Sequence, residues 1–168
     1  MAAKPQKKPA KKKPVKFIPE GFRTVTPHLI IKGGLKALAF YGKAFGAKER
    51  YHTLGPGGFL AHAELQIGDS LVTFSDEDTA MGARSPKTLG GTGSGLMIYS
   101  KDVDALFKKA VAAGAKVQMP LTDMFWGDRF CRLEDPSGHS WSLAKRIENV
   151  SPREMAKRLA AMGPPPKG

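Results

Sequence analysis

The chain has 168 residues, 41% of them hydrophobic, and a formal net charge of +12, enough apolar material for one compact domain with a sizeable core. No run of residues reaches the apolar length of a bilayer span, and no apolar stretch follows the basic N-terminus, which argues against membrane insertion or secretion. The single cysteine, Cys131, has no intramolecular partner, so a disulfide framework is excluded and a reducing, cytoplasmic compartment is expected.

The charge is uneven: residues 1–16 hold seven lysines and no acid, leaving only +5 for the rest. With lysine alternating among proline and alanine, residues 1–16 offer nothing to bury, and residues 1–20 are expected to form a disordered, solvated tail. Residues 1–16 suit nucleic acid or another polyanion held through counterion release, or else serve only as a solubilising extension. The missing arginines weaken a mitochondrial transit reading.

A short apolar strand, His28 to Ile31, opens the folded part and precedes a helix-period segment, 35–48. That segment, LKALAFYGKAFGAK, returns as VDALFKKAVAAGAK at 103–116, with Ala37/Ala105, Leu38/Leu106, Ala44/Ala112, Gly46/Gly114, Ala47/Ala115 and Lys48/Lys116 matching at a constant offset of 68. Each copy closes on Gly-Ala-Lys, follows a short apolar strand (the second is Gly95 to Ile98) and precedes strand-like stretches, so a βαβββ unit recurs. The helical stripe in the second copy is Val103, Leu106, Phe107 and Ala110, and the offset puts Leu35, Leu38, Ala39 and Gly42 in the same place. Phe40 and Tyr41 then wrap the core edge, cover a subunit interface, or touch ligand.

Strand alternation is clearest from Leu60 to Ile67, with Ala61, Ala63, Leu65 and Ile67 on one face and His62, Glu64 and Gln66 on the other. Gly68-Asp69 turns the chain into Ser70 to Phe74. Glycine-rich stretches at 55–58 and 76–95 read as loops able to act as lids, the latter leading through 90–95 into the second copy. Later strands are expected at Val117 to Met119, Arg129 to Glu134 and His139 to Ala144, with Asp135-Pro136-Ser137-Gly138 as the last turn. Ser151-Pro152-Arg153-Glu154 is a capping box with proline at the first helical position, starting a helix that runs to about Met162.

The helix ALAFYGKAFGA, the hairpin HAELQIGDSLVTFSDE and the segment FWGDRFCRLEDPSGHSWSLA resemble the glyoxalase/bleomycin-resistance/extradiol-dioxygenase group, the vicinal oxygen chelate superfamily, and within it PhnB-like proteins. The resemblance runs from about residue 23 to 158. It implies an α+β fold in which two βαβββ modules form a cupped mixed sheet with helices outside, commonly as a homodimer. The glyoxalase-like domain would span 21–148, with module one at 23–80 and module two at 94–148, followed by a C-terminal helix at 149–163.

Metal-dependent members hold a divalent ion inside the cup with His, Gln or Glu on the first and last strands of each module. Here those places fall on His28, Thr73, Leu96 and Ser142. One imidazole without a carboxylate holds Zn²⁺, Mn²⁺ or Fe²⁺ weakly, so no glyoxalase-type site and no cofactor are expected. The alternative is a divalent metal on His28, His62 and Glu64, serving a lyase, isomerase or dioxygenase reaction. Against it, alternation alone puts any two polar residues of an exposed strand face at the spacing of His62 and Glu64. His52 and His139 read as structural or surface residues.

The loop Met124-Phe125-Trp126-Gly127-Asp128-Arg129, with Arg132 beyond it, suits a planar or anionic guest, since aromatic faces supply area and guanidinium supplies fixed donors. Equally, Trp126 could plug the cup while Asp128 and Arg129 pair structurally. No nucleophile elbow, phosphate-binding loop, dinucleotide fingerprint or CxxC pair occurs, and Cys131 reads as a buried thiol. The reading is therefore a small-molecule binding protein, its ligand anionic or aromatic, contacted by His62, Glu64, Phe125, Trp126, Arg129 and Arg132. The alternatives are the atypical metal enzyme and polyanion association through the lysine tail.

Overall fold

The computed structural model of the chain describes residues 15–163. Residues 1–14, on which most of the tail expectation falls, lie outside the described residues.

Module one runs β1 (His28–Ile31), α1 (Gly34–Phe45), β2 (Lys48–Leu54), β3 (Leu60–Ile67) and β4 (Ser70–Asp76). After a one-turn helix, α2 (Pro86–Leu89), module two repeats it as β5 (Gly95–Tyr99), α3 (Val103–Ala112), β6 (Lys116–Asp123), β7 (Asp128–Glu134) and β8 (Ser140–Arg146), and α4 (Pro152–Ala161) follows. The strands form two four-stranded mixed sheets of matching order, β1-β4-β3-β2 and β5-β8-β7-β6. In each, the first strand lies parallel to the last and the other neighbours are antiparallel. Among the described residues no helix is long and apolar enough to cross a membrane.

Local chemistry sets the helix ends. Asp76 Oδ1, arriving from β4, accepts the N–H groups of Gly33 (3.0 Å) and Gly34 (2.6 Å), while its Oδ2 accepts Leu60 N–H at 2.7 Å, so one carboxylate caps α1 and fixes the start of β3. Gly46 ends α1 with φ +67, the left-handed position that glycine takes without a Cβ penalty. Asp102 caps α3 through Ala105 N–H at 2.9 Å, which the sequence reading does not anticipate, and Ser151 caps α4 through Glu154 N–H at 3.2 Å, as its capping box predicts. The 76–95 stretch is tied down: the Glu77 carboxylate accepts from Ser85 N–H, Ser85 Oγ and Thr88 Oγ1, which hold it at a pKa of about 2.

The buried face of α1 differs from the offset-derived stripe. Leu35 is 49% exposed and Ala39 and Gly42 face outward, whereas Ala37, Phe40, Tyr41, Ala44 and Phe45 are buried. Two overlapping stripes satisfy the helical period here, and the one bearing three aromatic rings buries more apolar area. Tyr41 and Phe45 pack on Trp141 of β8 (5.5 and 4.7 Å between ring centroids), and Tyr41 meets Phe74 at 5.7 Å. Phe40 and Tyr41 thus belong to the seam between modules.

The polar centre of that seam is Asp135, 2% exposed. Its carboxylate accepts Tyr41 Oη–H (2.6 Å), Trp141 Nε1–H (2.9 Å), Ser137 N–H (2.8 Å) and His139 N–H (3.0 Å). Burial and the neighbouring carboxylate raise the Tyr41 pKa well above 10, so its hydroxyl stays a donor. His139 Nε2–H adds a second link between modules, donating to Ile30 O at 3.0 Å. Tyr41→Phe leaves a buried carboxylate short of one donor and is expected to cost about 1–3 kcal/mol. Urea unfolding measures it; a loss below about 0.5 kcal/mol would remove Asp135 from its role in joining the modules.

Candidate functional site

Each sheet has one face under its helix and one open. On sheet one, strand register aligns four residues across the open face: His28 stands opposite Thr73, Thr73 opposite Glu64, and Glu64 opposite Tyr51. His62, two residues before Glu64, shares that face. The His28 and His62 rings stack with centroids 6.5 Å apart, Tyr51 lies 6.4 Å from His62, and His62 Nε2 is 3.5 Å from Glu64 Oε1. The sequence reading overlooked Tyr51 and cast Thr73 only as a failed metal ligand.

The proton on His28 is fixed by its neighbours. Thr73 Oγ1–H donates to Pro27 O at 3.1 Å, and a carbonyl can only accept. The single hydroxyl proton is therefore used, so the 2.9 Å contact between His28 Nδ1 and Thr73 Oγ1 is donated by Nδ1–H. Among the described residues, the Nε2 lone pair of the neutral ring is left as an acceptor without a hydrogen-bond donor. Partial burial, then the nearby His62, lowers the His28 pKa from its ordinary 6.5, which favours that neutral form at physiological pH.

Sheet two carries an equivalent row of different chemistry, with Met97 opposite Ser142, Ser142 opposite Arg132, and Arg132 opposite Met119. Arg132 thus occupies the place of Glu64, Ser142 that of Thr73, and Met97 that of His28. This corrects the assignment of Leu96: its side chain packs on the buried core, while Met97 is 52% exposed. Tyr99, on the same open face, donates its hydroxyl to the buried Asp128 at 3.1 Å, and Arg146 Nε lies 2.8 Å from the other carboxylate oxygen, off hydrogen-bond alignment.

The aromatic loop is held over this face. Trp126 stacks edge-on against Phe125 (5.0 Å) and against Phe130 (5.5 Å). Arg158 of α4 anchors the loop by donating to Phe125 O at 2.9 Å while its guanidinium clasps Glu148 at 2.7 and 2.8 Å. Gly127, at φ +92, has Glu148 O only 2.4 Å from where a Cβ would stand, so no other residue fits without displacing that backbone.

Arg129 goes elsewhere. It donates to Asp104 of α3 at 2.7 and 2.9 Å and to Asp123 at 2.9 Å, on the helix side of the sheet, away from Arg132. A signal for this was available, because residues three apart on a strand face opposite ways, and Arg129 shares its face with the buried Cys131 and Leu133. Burial pushes the Cys131 thiol pKa up, making it a poor nucleophile. His52 has a companion on β2: its Nδ1 lies 2.6 Å from Glu49 Oε1. The structure therefore brings His28, His62 and Glu64 together on one sheet, and Phe125, Trp126 and Arg132 to the open side of the other.

The four positions that the resemblance assigns to metal ligands, with Met97 in the place given to Leu96, hold one imidazole, two hydroxyls and a thioether. Among the described residues, no three or more His, Cys, Asp or Glu side chains are grouped to hold a metal ion, His28, His62 and Glu64 included. This donor set does not fit a resident transition metal. A cavity of about 700 Å³ opens between the β3–β4 hairpin, the Arg23–Pro27 approach and β5, taking in Met97, Tyr99 and Trp141. His28, His62 and Glu64 do not line it; they stand on an open sheet face.

Residues 28–143 match the model of the Glyoxalase/Bleomycin resistance protein/Dioxygenase superfamily, and the chain belongs to that family. An uncharacterised protein of Mycobacterium tuberculosis is 39% identical over 142 residues, covering 83% of this chain and 84% of its own. The X-ray structure of an Arabidopsis thaliana gene product is 28% identical with a TM-score of 0.59, covering 73% of this chain and 98% of its own. The fosfomycin resistance protein FosX of Listeria monocytogenes, crystallised with Mn(II) and sulfate, superposes with a TM-score of 0.57 at 19% identity, covering 73% of this chain and 91% of its own; it shows the fold alone.

The lowered His28 pKa means that the unfolded chain takes up this proton more readily than the folded one. The stability that His28 contributes is present above pH 6.5 and is lost as pH falls through its lowered folded value. His28→Asn is expected to flatten that part of the stability profile between about pH 7.5 and about pH 5, measured by urea unfolding; parallel profiles for the two proteins would place His28 in an unperturbed environment.

Proposed function

We propose that this member of the Glyoxalase/Bleomycin resistance protein/Dioxygenase superfamily binds a small organic molecule against its open sheet faces, without a resident metal ion. The observation that carries the reading is the 2.9 Å contact of His28 Nδ1 with Thr73 Oγ1: with the Thr73 hydroxyl donated to Pro27 O, the imidazole is neutral and its Nε2 is an acceptor for a hydroxyl or N–H of a guest. Glu64 and Tyr51 extend the polar row beside it. On the other sheet, Arg132 offers a guanidinium to a carboxylate or phosphonate, and Trp126 and Tyr99 offer aromatic faces, which favours an anionic or aromatic guest.

A second copy of the chain completes the enclosure in this reading. Tyr51, Met97 and Tyr99 are each about half exposed on the open faces, more aromatic and thioether surface than a solvated face needs, and among the described residues the His28 row lines no cavity. The two open faces carry opposite charge at equivalent positions, Glu64 on one and Arg132 on the other, so charge complementarity favours a homodimer that sets a sheet-one face against a sheet-two face. The segment Trp126 to Arg129 followed by Asp135 to Trp141 supports a PhnB-like reading within the superfamily. The donor set speaks against the reading as a metal-dependent lyase, isomerase or dioxygenase, because His28, His62 and Glu64, though neighbours on one face, are not grouped to hold a metal ion.

The test is thermal-shift screening of the full chain in EDTA against small carboxylates, phosphonates and aromatic acids, preceded by elemental analysis of protein purified without added metal. The reading expects substoichiometric metal and at least one compound that raises the melting midpoint. Its effect is abolished by His28→Ala and its affinity weakened roughly tenfold or more by Arg132→Ala, the loss of a charge-assisted hydrogen bond. Stoichiometric metal, or ligands that bind only after a divalent ion is added, would contradict it.

A further inference from the structure

A second concave surface lies on the outside of module one, away from both open sheet faces. It is a groove of about 430 Å³ floored by Ala37, Phe40 and Pro136 and edged by Lys32, Lys36, Lys43 and Lys87. Its lysines come from separate parts of the chain: Lys36 and Lys43 from α1, Lys32 from the turn before it and Lys87 from α2. Module two contributes the other edge through the Pro136-Ser137 turn.

The electrostatics of this groove are uncompensated. The α1 sequence, GLKALAFYGKAF, contains no acid, and of the four lysines only Lys32 has a carboxylate within ion-pair distance among the described residues, Glu77 at 3.5 Å. That carboxylate is already engaged with Ser85 and Thr88. Lys36 and Lys43 repeat at i and i+7 on one helix face, and Lys32 and Lys87 bring further positive charge to the same groove. The helix N-terminus is not the attraction, because Asp76 already takes the Gly33 and Gly34 N–H groups. What remains is a set of ammonium groups around an apolar floor.

We infer that the Lys32–Lys36–Lys43–Lys87 groove binds a small anion carrying two or more phosphate groups. Lysine binds phosphate as a compact point charge, and the groove has no guanidinium fork of the kind that suits a single planar carboxylate. Seven residues of helix separate Lys36 from Lys43 by about 10 Å, a span that a linear di- or triphosphate covers and a lone monoanion does not. The volume is that of a small-molecule site, too confined for a nucleic-acid duplex. This surface is distinct from the His28 row, so the two sites are separable by experiment.

The test is calorimetric titration of the full chain with inorganic tripolyphosphate at low and physiological salt. The inference expects saturable binding at one anion per chain, weakened by salt as charge pairing requires. Lys36→Glu/Lys43→Glu weakens it at least about tenfold without lowering the melting midpoint of the anion-free protein, and the milder Lys36→Gln, kept for the case in which the double variant fails to fold, weakens it about threefold. Lys11→Ala/Lys12→Ala/Lys13→Ala, which lowers the charge of the N-terminal segment alone, changes the affinity by less than about twofold. The inference is overturned by non-saturable binding, by affinity that survives the groove variants, or by affinity lost with the N-terminal lysines.

Discussion

The Asp135 carboxylate joins the two halves of the chain. A buried carboxylate is tolerated only when its lone pairs are met, and here four donors converge on it, one of them the Tyr41 hydroxyl from the other module. That requirement turns Tyr41 inward, which rotates α1 so that its aromatic residues meet Trp141 while Lys36, Ala39 and Lys43 face out. With both helices committed to the seam, each sheet has one covered face and one left for other purposes. The site chemistry and the outer lysine groove are both consequences of this rotation.

Duplication supplied two equivalent rows, and divergence gave them complementary character. Where sheet one has His28, Thr73 and Glu64, sheet two has Met97, Ser142 and Arg132. One row accepts hydrogen bonds and carries negative charge; the other offers a cation and a soft apolar surface. The hydroxyls at the central positions keep the same geometry while giving up the charge that a metal ligand would bring. The superfamily fold and a metal-poor donor set are compatible for that reason, since fold does not fix chemistry.

Much of this was legible in the sequence because local rules were obeyed. The constant spacing of the two Gly-Ala-Lys segments, the alternation from Leu60 to Ile67, the Asp135–Gly138 turn and the Ser151 cap each predicted the element observed. The failures share a cause: they depended on residues far away in the chain. Two stripes on α1 satisfy the helical period equally, and Trp141, a hundred residues later, decides between them. The β5 sequence GLMIY is apolar throughout, so alternation could not show whether Leu96 or Met97 faces out; pairing with Ser142 settles it. Asp135 read only as a turn residue, because its partner Tyr41 is invisible to any local window.

The account of the site rests on one proton, and its location can be read directly. Long-range ¹H–¹⁵N correlation of the histidine rings distinguishes the two neutral tautomers and the imidazolium. For His28 at neutral pH, its hydrogen bond to Thr73, whose own hydroxyl donates to Pro27 O, requires a neutral ring protonated on Nδ1, with Nε2 showing the shift of an unprotonated nitrogen. An Nε2–H tautomer, or an imidazolium at that pH, would contradict the account.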